Sequence, residues 1–151
     1  MTGPPEPPAA TLDWDAVLAW RPWLADAAAA TAGEAGEAGG WHGGVPTSDG
    51  TVTMPHARLS DDAARFLREL YDEQVVAPFD WGVWLQERGR ELLEDHHALE
   101  TATLEECRML LAAVARSDRF VDGAFLTALT DGTIARILGR IDEVVRRPSA
   151  R

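Results

Sequence analysis

Between Ser60 and Tyr71 the apolar positions recur with the period of a helix. Ala63, Phe66, Leu67, Leu70 and Tyr71 share one face, and Asp61 and Asp62 fill the first turn. Ser60 stands where an N-cap would accept free backbone N–H groups. Two later stretches read the same way. Thr103 and Glu106 form a T-x-x-E capping box, followed at helical spacing by Leu104, Cys107, Leu110, Leu111 and Val114. From Thr133, read as a cap, the stripe Ile134, Ile137, Leu138, Ile141, Val144 and Val145 keeps i, i+3, i+4, i+7 spacing. It ends at Arg146 and Arg147, where cations favour the helix dipole.

The stretch PFDWGVW (78–84) opens another helix. Asp80 reads as its N-cap, Phe79 and Trp84 have the spacing of a hydrophobic staple, and the helix is expected to run through Leu85 toward Leu92 and Leu93. Residues 12–30 are helical in composition, and Pro22 is expected to split or kink them near Trp20. The charged corner ARSDRFVDGAF (115–125) reads as a second device of this kind. With Asp122 as N-cap of a short helix over 124–130, Val121 and Leu126 make a second staple and Gly132 supplies a left-handed exit. Arg119 would pair with Asp118 or bond the last carbonyls of the preceding helix.

The rest divides by composition. Residues 1–10 read as a disordered Pro-rich tail, 11–32 as an N-terminal helical segment, 33–40 as a Gly/Ala/Glu linker and 41–147 as a helical domain. A short β-hairpin is expected near residues 41–54, where Asp49-Gly50 signals a turn and Thr51-Val52-Thr53 is β-branched. No internal repeat is visible. The expected fold is mainly α, a compact bundle of about five or six helices.

Composition narrows the classes. The chain of 151 residues is long enough for one domain with a core. No apolar run is long enough for a membrane span, and the first residues lack the regions of a signal peptide. One cysteine allows no internal disulfide, so a cytoplasmic location is expected. All 14 basic residues are arginine, and lysine and asparagine are absent, a bias of the kind GC-rich bacterial genomes impose. Net charge is −11 and unevenly spread. Residues 1–60 carry 7 acids and 2 arginines, residues 61–118 carry 14 and 6, and residues 119–151 carry 4 and 6. An acidic body repels phosphate, so neither nucleic acid nor membrane is an expected partner.

A calcium loop starting at Asp118 has Asp122 and Gly123 in place, but Phe120 and Leu129 fall where oxygen ligands are needed. Asp118 and Asp122 could form a carboxylate pair sharing a proton, although capping accounts for more of the segment. His42, His56, His96 and His97 form no H-x-x-x-H pattern, and one cysteine builds no zinc knuckle. Adjacent His96 and His97 point apart on a helix, whereas His42 and His56 would converge only across a hairpin. The glycine-rich GGWHGG (39–44) lacks the G-K-[ST] ending of a phosphate loop. No nucleophile-elbow motif surrounds a serine, and Cys107 sits on an apolar face as an inert thiol. No cofactor motif is present.

At these residues the chain resembles the bacterial family called domain of unknown function 6508. The resemblance rests on ordered motifs. They are Trp41-His42-Gly43-Gly44; Met54-Pro55 before His56; Pro78 to Trp81 with Trp84; and Arg116 to Gly123 followed by Gly132 and Ile134 to Leu138. Together they span roughly residues 41–141. His56 departs from the tyrosine or phenylalanine expected at that step. The resemblance implies a bacterial single domain and brings no activity with it.

Two functions follow as expectations. The first is a small acidic interaction or accessory module without catalytic activity, meeting a basic protein partner or self-associating. The second is a small-ligand binder or enzyme with a pocket of Trp81, Trp84, Asp118, Arg119, Phe120 and Asp122, joined by Asp80. Trp14, Trp20 and Trp23 would pack within the chain or onto a partner.

Overall fold

A helix starts where something accepts its first N–H groups, and that need sets most boundaries in this chain. The computed structural model describes residues 11–28, 39–42, 46, 48–52, 56–76, 81–117 and 121–146. In chain order they form α1 (Trp14–Leu18), α2 (Arg21–Ala28), β1 (Gly39–His42), β2 (His56–Leu59) and α3 (Asp61–Asp72). Then come α4 (Trp81–Trp84), a π-helical turn (Leu85–Gly89), α5 (Arg90–Glu94), α6 (His96–Glu100), α7 (Leu104–Arg116), α8 (Ala124–Thr130) and α9 (Thr133–Arg146). The fold is mainly α with one small antiparallel sheet, as the patterning predicts. The Pro-rich tail, residues 33–38 of the expected linker, and Phe79 and Asp80 of the expected staple lie outside the described residues.

The expected caps hold at α3 and α7. Ser60 Oγ accepts from Ala63 N at 3.1 Å. Glu106 N donates to Thr103 Oγ1 at 3.0 Å, and Thr103 N donates to Glu106 Oε1 at 2.9 Å, closing the capping box. Two boundaries differ from expectation. Thr133 is the first residue of α9 and not its cap; its N–H goes to Asp131 Oδ1 at 2.8 Å. The helix from Trp81 continues as expected but relaxes into the π-helical turn before α5, and Asp95 then starts α6 by accepting from His97 N at 2.9 Å. Pro22 lies in the first turn of α2, where its missing N–H has no partner to lose, and the chain breaks just before it.

Helix α7 is the centre of the packing. From Leu110 to Ala115 it is buried on every side. Against it lies the stripe Ile134, Ile137, Leu138 and Ile141 of α9, fully buried, while the outer Val145 stays exposed. Phe66 of α3 links the remaining layers. It stacks on Phe125 of α8 at 6.3 Å between ring centroids and meets Trp20 at 5.4 Å and Trp23 at 6.2 Å. Trp14, Val17, Leu18, Leu24 and Ala27 belong to the same core cluster, so the N-terminal tryptophans pack within the chain.

One charge is carried into this core. Arg108, 3 % exposed, follows Cys107 on the buried side of α7. Its Nη2 donates to Gln74 O at 2.9 Å and its Nε to Val75 O at 3.3 Å; Glu105 lies 3.6 Å from Nη1. Those carbonyls belong to the exit of α3. There Gln74 N donates to Tyr71 O at 3.0 Å and Val75 N to Leu70 O at 2.9 Å, a Schellman turn. Gln74 holds the left-handed position (φ 64°) that glycine usually takes.

The hairpin exists, but its ladder flanks the expected span. β1 and β2 pair antiparallel from Gly39 opposite Leu59 to His42 opposite His56. Within the connection Val52 bridges Pro46, and Asp49 Oδ1 accepts from Thr51 N at 3.0 Å. Gly39 and Gly40, read as the end of a linker, are the first residues of β1. At Gly39 (φ 131°) a Cβ would stand 2.1 Å from Arg58 O, so only glycine permits this approach.

Arg108→Ala leaves two acceptors at the α3 exit without their donor, and should cost about 3 kcal/mol in a denaturant titration. An unmoved midpoint would show that the α3 exit does not depend on Arg108. A second outcome concerns pH. The hydrogen bond from Arg88 Nε to Glu106 Oε2, 2.6 Å, holds the Glu106 carboxyl below its ordinary value of 4.5. A depressed folded-state value contributes stability above that pH and loses it as acid protonates Glu106. The stability gap between wild type and Glu106→Gln should therefore be widest near neutrality and close below about pH 4.5.

Candidate functional site

The segment before α8 begins with Val121 N donating to Ser117 O at 3.0 Å. Ala124 N then closes a turn on Val121 O at 3.1 Å. Gly123 in the left-handed conformation (φ 85°) is the N-cap of α8. This corrects the capping expectation at Asp122. With Gly123 as the cap, the Asp122 carboxylate lies outside the helix and accepts from Ala57 N of β2 at 3.0 Å. Val121 is 62 % exposed and staples nothing. Asp122 is thus a latch. It satisfies an outward N–H of an edge strand and ties the hairpin to the start of α8.

The latch brings separate motifs together. The register sets Trp41-His42 opposite Ala57 and His56, and Asp122-Gly123 closes on the same strand. α4 packs on α7, which ends at Arg116. Of the residues expected to form a pocket, Trp84 is half-buried against the core and Asp122 is exposed. Asp118, Arg119, Phe120, and the side chains of Trp81, His42 and His56 lie outside what is described. The Nε of Arg116 is buried without a partner among the described residues, as is the Nε1 of Trp23.

The chemistry available here is modest. The Asp122 carboxylate is exposed and already engaged. Among the described residues, no group of three or more His, Cys, Asp or Glu is placed to hold a metal ion. Burial pushes the Cys107 thiol up to about 12, against the opposing charge of Arg140, which disfavours the thiolate at neutral pH.

A second feature was not visible from spacing. Asp13 caps α1 by accepting from Ala16 N at 3.2 Å, and it faces the end of α3. Partial desolvation, then the charges of Asp13, Glu69 and Asp72, hold the Glu73 carboxyl above its ordinary value. Beside these acids a concavity of ≈ 300 Å³ is lined by Trp20, Arg65, Arg68, Glu69 and Asp72. Sequence showed that acids abound in this stretch; only the docking of α1 on α3 brings Asp13 to Glu73.

The sequence model of a family described as a family of unknown function (DUF6508) matches residues 12–147. The match extends beyond the motif span to include α1 and α2. No curated protein and no solved structure matches the chain.

Asp122→Ala should release the hairpin at a cost of about 1 kcal/mol and speed hydrogen exchange at the Ala57 amide, with α8 amides little changed. Asp122→Asn keeps an acceptor and should restore most of that protection. Faster exchange in the first turn of α8 and an unchanged Ala57 would return Asp122 to the role of a cap.

Proposed function

We propose that this chain, which belongs to the DUF6508 family, is a non-catalytic interaction module that presents its acidic corner to a basic protein partner. The observation that carries the reading is the crowding of Asp13, Glu69 and Asp72 around Glu73 beside the Trp20 concavity. Like charges held together in this way oppose the folded state, and a cationic surface would relieve them. Trp20 offers the apolar contact that such interfaces use as an anchor. The net charge of −11 extends the same field and favours fast, salt-sensitive association. The competing ligand pocket rested partly on Asp122, whose carboxylate is spent on the hairpin latch. An accessory role in the cytoplasm of a bacterium fits the chain, in which no described helix is long and apolar enough to cross a membrane.

Affinity capture from the cell of origin, with wild type and the Asp72→Arg/Glu73→Arg double variant as parallel baits, tests the reading by mass spectrometry. One basic protein should be retained in stoichiometric amount by wild type, eluted by about 0.5 M salt, and depleted at least tenfold on the variant. Retention that ignores both salt and the substitutions, or the absence of any enriched basic protein, would overturn it.

A further inference from the structure

We propose that the groove between α2, α6 and α9 is a binding site for a small polyanion carrying phosphate or carboxylate groups, held by Arg136 and Arg140. The groove encloses ≈ 440 Å³, a volume suited to a small metabolite. Its walls include Arg21, Leu99, Arg136, Gly139, Arg140 and Asp142. It shares no residue with the acidic corner of α1 and α3.

Of the three carboxylates lining this groove, Asp142 and Glu143 are already engaged. Asp142 takes Arg21 at 2.5 Å and also Arg146. Glu100 lies 3.4 Å from His97, and Glu143 also has a partner. The two central guanidiniums are in a different position. Among the described residues Arg136 donates to Thr133 Oγ1, at 3.4 Å. Arg140 donates its Nε to the Ala102 carbonyl at 2.9 Å. Among the described residues neither has a carboxylate partner. The chain has 25 acidic residues against 14 arginines, so carboxylates are in excess. Two guanidiniums left without one, four residues apart on α9 in a concave wall, have their charge available to a ligand.

The geometry suits that use. Spaced i, i+4, Arg136 and Arg140 lie on one face of α9. The bond to Ala102 fixes the plane of the Arg140 fork and leaves its terminal nitrogens for bidentate contact with an oxyanion. Gly139 sits between them inside a helix, where glycine is disfavoured. A Cβ there would meet Arg21 Nη2 at 3.6 Å, an ordinary contact, so packing does not demand glycine. A longer side chain would fill the groove. Leu99 offers an apolar surface for the body of the ligand.

Calorimetric titration at fixed ionic strength tests the site with inorganic phosphate, pyrophosphate and citrate as probes, each repeated as a thermal-unfolding series. At least one probe should bind saturably at one site and raise the unfolding midpoint. Arg136→Gln and Gly139→Leu should each weaken that binding tenfold or more. Gly139→Leu retains both guanidiniums and the Ala102 bond, so it separates lost binding from lost fold. Arg90→Gln, which removes an exposed arginine 4.0 Å from Glu94 on α5, should leave binding unchanged. A preference for pyrophosphate or for citrate assigns the ligand as phosphate or carboxylate. No saturable response to any probe, or an undiminished response in both groove variants, would overturn the proposal.

Discussion

A guanidinium set among Cys107, Leu110 and Leu111 enters a core only if acceptors enter with it. For Arg108 those acceptors are the carbonyls of Gln74 and Val75, at the turn that ends α3. The requirement fixes where α3 stops relative to the middle of α7, and it accompanies the left-handed Gln74 that makes the turn possible. Much else is placed through α3. Its Phe66 meets Phe125, Trp20 and Trp23, so the N-terminal segment and α8 are positioned against the same ring. The polar tie and the aromatic contacts act together, and neither alone would define the geometry.

The hairpin is attached by lighter means. A two-stranded sheet is marginal by itself. Here Gly39 permits a backbone approach that no side chain would tolerate, and Asp122 takes an N–H that an edge strand would otherwise show to solvent. Motifs far apart in the chain, around Trp41, His56 and Asp122, are gathered onto one strand pair. The match of residues 12–147 to one family makes this gathered unit, with its N-terminal helices, the object whose role must be explained.

Charge divides the surface into two kinds of place. At the corner of α1 and α3 the charges of Asp13, Glu69 and Asp72 oppose that of Glu73. Along α9 the reverse holds: Asp142 is shared by Arg21 and Arg146, while Arg136 and Arg140 have no carboxylate partner among the described residues. The net −11 conceals this division, because an overall charge says nothing about which groups are already paired.

The sequence by itself determined the parts whose causes lie within about one helical turn. The stripes of α3, α7 and α9, the Ser60 cap, the Thr103–Glu106 box and the break before Pro22 all rest on residues three or four apart, and all are present. What it could not determine depends on partners distant along the chain. Asp122 reads as a cap until Ala57, 65 residues away, is seen to donate to it. Gly39 and Gly40 read as linker because glycine has no strand pattern, and only pairing with Arg58 and Leu59 makes them a strand. An arginine within an apolar stripe is a signal at Arg108, but its acceptors, 33 and 34 residues earlier, come only from the packing of α7 on the α3 exit. Periodicity and capping are local properties, whereas latches, buried charges and grooves are made by contacts that exist only once the chain is folded.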